Sequence, residues 1–145
     1  MSKTWDKLSA QDRVIAVHVD FSNNKDFASL SGVVYVGDVK FEKIGTAGTD
    51  GRDVYYDPEF VERLTRKQLR YLVAHEALHK ALMHCTNYKE LSKKYPQLCN
   101  MAMDYVVNAM ILEADPKLEF VELPTEPEPL LHEKYYGMSF IQVLK

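Results

Sequence analysis

Thr65-Arg66-Lys67-Gln68-Leu69-Arg70-Tyr71-Leu72-Val73-Ala74-His75-Glu76-Ala77-Leu78-His79-Lys80-Ala81-Leu82-Met83-His84 is the stretch from which the fold is read. Thr65 with Gln68 three residues on is a capping box, and the helix it opens is expected to run from Arg66 to about His84. Tyr71, Leu72, Val73, Ala74, Ala77, Leu78, Ala81, Leu82 and Met83 cover most of its circumference, and a helix apolar on nearly all sides is a buried one. Within it His75 and His79 stand four residues apart, on one face and one turn from each other. Two imidazoles so placed can share one ion. Glu76 lies about 100° round the helix from His75, where it can reach a water on that ion without ligating the ion itself. Buried His and Glu side chains are costly without partners, and a metal with its water would satisfy all three. The bland alternative is a chance match of a short pattern on an exposed, charged helix, and the apolar surroundings speak against it. Zinc is the expected ion: it lowers the pKa of a bound water to about 7, and Glu76 would take the proton as general base.

Two histidines do not complete a catalytic zinc site, which takes three protein ligands and an open position. His84 follows His79 by five residues, which rotates it about 140° away on a continuing helix. It is expected instead at the helix C-terminus, near free carbonyls. The third ligand is sought on a second long helix, expected from about Pro96 to Asp115, where Pro116 disfavours continuation. That helix is also apolar almost all round, except for Asn100, Asp104 and Asn108, which are spaced by four and so share one face. Asp104 is the anion of the stripe and is assigned as the third ligand. Asn108 is expected to hydrogen-bond a ligating histidine, and Asn100 to do the same or to join the helices. The bland reading of Asp104 is a cap or ion pair away from any metal. Cys85 and Cys99 lack paired spacing and read as small buried residues. His132, Tyr135 and Tyr136 are candidates for stabilising an oxyanion, with nothing in the spacing to choose among them.

Working toward the N-terminus, Asp57-Pro58 opens a short helical turn. Arg52 to Tyr56 reads as a strand, preceded by the hairpin signal Asp50-Gly51 and a Gly- and Thr-rich run from Gly45. Val39 to Ile44 reads as another strand, and Val33 to Val36, after a turn at Gly37-Asp38, as a third. Leu8 to Phe21, with Ile15, Val17, Val19 and Phe21 apolar, could be helix or strand by its pattern and is expected to be a helix ending near Ser22-Asn23-Asn24. Beyond the second long helix, Glu119 to Leu131 contains Pro124, Pro127 and Pro129 with four glutamates and is expected to be an extended loop without packing of its own. Gly137-Met138-Ser139 is expected to precede a short C-terminal helix. The order is α+β: a small antiparallel sheet packed against the helix of His75 and a second long helix, in a single domain over residues 1–145.

The 145 residues are 46% apolar and 27% charged, enough to bury a core without crosslinks. Lys plus Arg number 18 against 21 Asp plus Glu, a net charge of -3, which argues against a nucleic-acid or anionic-membrane partner. The short basic run Arg63 to Lys67 reads as a solvated loop and helix start. No signal-like or membrane-spanning apolar run is visible, so a reduced, cytoplasmic setting is expected for the two cysteines.

Three blocks resemble a known family in order. Thr46-Ala47-Gly48-Thr49-Asp50-Gly51-Arg52-Asp53-Val54-Tyr55-Tyr56-Asp57-Pro58-Glu59-Phe60-Val61 is similar to the TAxTDGxxxxYNPxF stretch of the family known as the putative metallopeptidase domain, of unknown function, often found upstream of a von Willebrand A-like domain. His75 to His84 resembles its HExxHxxLxH helix, and Asn100 to Asn108 its NxAxDxxxN helix; Tyr136 to Ser139 echoes its tail. The resemblance spans about Ile44 to the end. It implies a zincin-like peptidase fold acting on a peptide or protein substrate, with a hairpin strand beside the active-site helix that takes substrate backbone by β-addition. Asp104 and Asn108 then look like an aspartate version of the gluzincin ExxxD helix. With Lys145 as the last residue, the partner domain is expected to be lacking, and a form of this size would suit a bacterial or phage protein. The rival from another class is a non-catalytic, zinc-stabilised interaction domain, with the acidic, Pro-rich Glu119 to Pro129 stretch as its partner-binding segment.

Overall fold

The computed structural model describes residues 5–27, 30–50, 52–82 and 89–124. Helix α1, Ala10–Ser22, is capped by Ser9, whose hydroxyl accepts from Asp12 N. Val14, Val17 and Phe21 are fully or almost fully buried, whereas Ile15 and Val19 are 60% and 48% exposed. The run Ile15, Val17, Val19, Phe21 therefore splits between two helical faces, as the expected helix requires and a strand does not.

Val33 to Val36 departs from expectation. Ser31–Val34 is a short helix, α2, followed by Tyr35 as its C-cap. Val34 enters the core, while Tyr35 and Val36 are more than half exposed. The Lys80 ammonium donates to the carbonyls of Val33 and Val36 at 3.0 and 3.1 Å, so this backbone is satisfied by a side chain instead of a neighbouring strand. β-branched residues fit a sheet by packing and have no strong backbone preference of their own.

The sheet has three short strands, β1 (Val39–Phe41), β2 (Ala47–Thr49) and β3 (Val54–Tyr56), in the order β1-β3-β2. It is mixed, not antiparallel: β2 pairs antiparallel with β3, with Gly48 opposite Tyr55, but β1 runs parallel to β3, with Lys40 opposite Tyr55. The chain leaves β1, crosses to form β2 on the far side, and returns through the Asp50 hairpin between the two. Asp50 closes that turn as expected, its N–H donating to Asp53 O and its carboxylate accepting from Arg52 N and Asp53 N. Entry into β1 depends on Gly37 at φ 74°, where a Cβ would lie 2.1 Å from Arg52 O. Ala47–Thr49 carries little β signal of its own, and pairing with β3 makes it a strand.

Helix α3, Pro58–Glu62, starts as expected, Asp57 accepting from Glu59 N with Pro58 in the first turn. The second Asp57 oxygen accepts from Gly45 N and ties the helix to the sheet. Helix α4, Arg66–Ala81, opens on the full capping box: Gln68 N donates to Thr65 Oγ1 at 3.1 Å and Thr65 N to Gln68 Oε1 at 3.0 Å. It ends at Ala81 with Leu82 as C-cap; His84 and Cys85 lie outside the described residues. A short helix not foreseen, α5, covers Lys89–Lys94. Helix α6, Pro96–Ala114, has the expected limits. The core lies where α4 meets α1, α2, β2 and α6. Cys99 is fully buried among Ala102, Met103 and Val106, as a small apolar residue. Among the described residues no helix is long and apolar enough to cross a membrane.

The segment after α6 is irregular but, against expectation, packed through residue 123. Asp115 accepts from the N–H groups of Glu119, Phe120 and Val121 at 2.9–3.0 Å. Val121 is fully buried, and Phe120 stacks on Phe27 under the Arg70 guanidinium. Glu122 N donates to Lys67 O, and Lys67 Nζ to Leu118 O. The composition that signals a loop does not register these anchors on Phe27 and α4. Burial would push the Asp115 carboxyl up, but the three N–H donors outweigh it and hold it below the usual range. Its contribution to stability is therefore present above about pH 4 and is lost as pH falls through the folded value. Asp115→Ala, which orphans three donors, is expected to cost about 2 kcal/mol in urea unfolding at neutral pH; a change under a few tenths would show that the clamp is idle.

Candidate metal centre

The spacing of four that α4 imposes brings the His75 and His79 rings edge to face, with centroids 4.7 Å apart and Nε2 atoms 3.1 Å apart. Helix α6 crosses α4 so that Asp104 meets both. Its Oδ1 lies 3.1 Å from His75 Nε2 and 3.0 Å from His79 Nε2. Three donor atoms from two helices thus converge on one point. Tetrahedral zinc with bonds of about 2.0–2.1 Å separates its donors by roughly 3.3 Å, so this triangle is within a few tenths of an ångström of the spacing an ion needs. The histidine side chains are 15% and 12% exposed and that of Asp104 36%, so the cluster opens to solvent mainly past Asp104.

The neighbours fix which atoms face the centre. Asn108, one turn beyond Asp104, accepts from His75 Nδ1 at 2.9 Å through Oδ1. A proton on Nδ1 leaves His75 Nε2 as the atom that faces His79 and Asp104. Tyr71 donates its hydroxyl to the same Asn108 oxygen. Tyr71 read in the sequence only as apolar cover. The signal that would have found it is its spacing: Tyr71, His75 and His79 form a stripe of fours opposite Asp104 and Asn108. Asn100, the third member of the polar stripe on α6, is exposed. Of the stripe on α6, the 104–108 turn supplies the polar side chains that reach the centre. His18, on α1, is no part of it: burial and the nearby Lys80 charge hold it at about 4, neutral at pH 7. His132, Tyr135 and Tyr136 lie outside the described residues.

The electrostatics suit a cation. Burial would push the Asp104 carboxyl up, but hydrogen bonds and charge from both histidines outweigh it and hold it far below the usual range. Burial would pull His75 down, yet Asp104, Glu76 and Asn108 raise it. The ion-free geometry therefore favours a proton shared between His75 and Asp104. Glu76 is 5% exposed, and burial pushes its carboxyl up against the pull of the histidines. Its Oε2 is the one buried side-chain oxygen or nitrogen without a hydrogen-bond partner among the described residues. Such an atom is costly unless something polar stands against it, and water held at the neighbouring donors would supply that partner. Tyr56 and Tyr71, both buried, are pushed up by burial and by nearby carboxylates and stay protonated.

A buried glutamate beside a two-histidine, one-carboxylate cluster is an arrangement able to hold a metal and to take a proton from water next to it. The family model described as "putative metallopeptidase domain" matches residues 11–136. The chain belongs to that family, and the match extends further toward the N-terminus than the motif blocks do. Neither the curated proteins nor the solved structures contain a match.

Proposed function

We propose that the chain is a zinc-dependent metallopeptidase, a single domain of zincin-like build, in which His75, His79 and Asp104 hold the ion and Glu76 is the general base. The observation that carries the reading is the convergence of three donor atoms, 3.0–3.1 Å apart, next to a buried carboxylate oxygen that lacks a partner. Bound zinc would supply Lewis acidity, acidifying water and polarising the scissile carbonyl. Glu76 then accepts the proton of the attacking water and returns it to the leaving amine. Burial holds its carboxyl above the usual carboxylate range, which suits it to giving the proton back as well as taking it. Asn108 keeps His75 Nε2 turned inward.

The sheet favours an extended peptide as substrate. β2 is an edge strand and packs against α4. Gly48 pairs inward with Tyr55, which turns the backbone of Ala47 and Thr49 to the outer side. A peptide added there would run alongside the helix of His75. The test is metal content followed by hydrolysis. Purified protein is expected to carry close to one equivalent of zinc and to cleave an unfolded protein substrate, with chelation abolishing cleavage and zinc restoring it. Less than about half an equivalent counts against the reading, because such sites bind tightly. A full equivalent with no cleavage of any peptide would leave a metal-stabilised binding domain.

A further inference from the structure

Past Asp104, the side by which the centre opens, the surface of α6 is apolar. Met101 lies three residues before Asp104 and Leu98 three before that, so neighbouring Cβ atoms along this row are about 5–6 Å apart. Each step of three turns the row by about 60°, away from Val107 and Ile111 in the core and toward the outside. Both side chains are large, yet Met101 is 45% and Leu98 53% exposed. Single exposed apolar residues scattered over a surface need no explanation. These two form a strip that begins one turn from a donor residue. Its position says what it meets. Strand β2 packs against α4, and α6 crosses α4 on the face of the two histidines. A peptide with its scissile bond at the centre lies between β2 and α6. A side chain beside that bond and turned to α6 reaches Met101 first and Leu98 beyond it.

We propose that Met101 and Leu98 are specificity-determining residues, the rim against which a substrate places an apolar side chain next to the scissile bond. This rests on the reading of the centre as a peptidase site and adds the class of residue that it selects. Methionine adapts to branched, straight and aromatic shapes, so the strip selects for apolarity more than for one shape. An aspartate at the same place loses water against the strip and stands near the Asp104 carboxylate, which disfavours it twice.

Two heptapeptides that differ only in a central Leu or Asp provide the test. Wild type is expected to cleave beside Leu with kcat/KM at least about tenfold above that for Asp. Leu98→Gln with Met101→Gln keeps side-chain length but removes the apolar strip, and should bring the two rates within about threefold while zinc content is unchanged. Met110, nine residues after Met101 and so on the opposite face of the helix, is 38% exposed; Met110→Gln should leave the ratio as in wild type. Methionine methyl NMR of Glu76→Gln, which does not turn the peptides over, should show the Met101 signal shifting with the Leu peptide, little with the Asp peptide, and Met110 unmoved by either. An unchanged ratio in the double variant, or an equal loss for both peptides, overturns the proposal. So does a Met101 signal that ignores the Leu peptide. If zinc-loaded wild type cleaves neither peptide nor any other, the peptidase reading fails, and the Met101 signal still decides whether the strip takes an apolar side chain.

Discussion

Glu76→Gln is expected to retain a full equivalent of metal and to lose peptide hydrolysis by about 10²–10⁴-fold, the range that a positioned general base contributes. The two outcomes separate because Glu76 is on α4 beside the proposed ligands and outside the cluster of donor atoms, which is His75, His79 and Asp104. Gln keeps the shape and polarity of the side chain but cannot accept the proton. It also removes a carboxylate whose ionised form burial disfavours and whose Oε2 lacks a protein partner, so the variant should fold at least as stably as wild type. Metal content by mass spectrometry, thermal unfolding and the rate of peptide cleavage check the three parts. Cleavage at the wild-type rate would remove Glu76 from the mechanism. Loss of metal together with activity would make it part of the ligand set.

Asp104→Ala is expected to have the largest effect on the metal. Zinc sites with four ligands are worth about 10–16 kcal/mol, which is roughly 3 kcal/mol per ligand, or more than about a hundredfold in affinity. The metal-free protein should respond as well, in a pH window set by the two shifts. Asp104 is depressed, so its contribution is present above the unfolded carboxylate value near 4 and is lost as pH falls through the folded one. His75 is raised, so its contribution is present below the unfolded histidine value near 6.5 and is lost as pH rises through the folded one. Both hold between about pH 4 and 6.5, and there Asp104→Ala should destabilise the chelated protein most. With zinc the order inverts, because the ion displaces the shared proton: wild-type affinity should rise with pH by about tenfold per unit while one proton is released. Chelated thermal unfolding near pH 5.5 and near pH 8.5, with zinc titrations at the same values, tests both signs. A loss of stability no larger at the lower pH would show that Asp104 is not paired with the histidines.

Local signals carried far where each element's residues were sufficient by themselves. The capping box at Thr65 and the Pro96 start and Asp115-Pro116 end of α6 are read within a few residues, and the structure has them at those positions. The spacing of four between His75 and His79 needs nothing but a helix to bring the rings together. Signals failed where a distant partner decided. Val33 to Val36 has strand composition, but a lysine from α4 takes its carbonyls. Ala47–Thr49 is too small and Gly-rich to announce a strand, yet the β3 backbone makes it one. Residues 119–123 look like a loop until Asp115 and Arg70 hold them down.

The sequence by itself determined the two helices, the imidazole pair on the first and a polar stripe on the second, because helical periodicity is a property of the backbone and fixes which side chains share a face. Only the tertiary structure decided how far along that stripe the helices meet. The crossing of α4 and α6 puts Asp104 and Asn108 against the histidines, leaves Asn100 exposed, and makes Tyr71 part of the centre. A crossing point is set by the packing of both surfaces together, and neither helix encodes it alone.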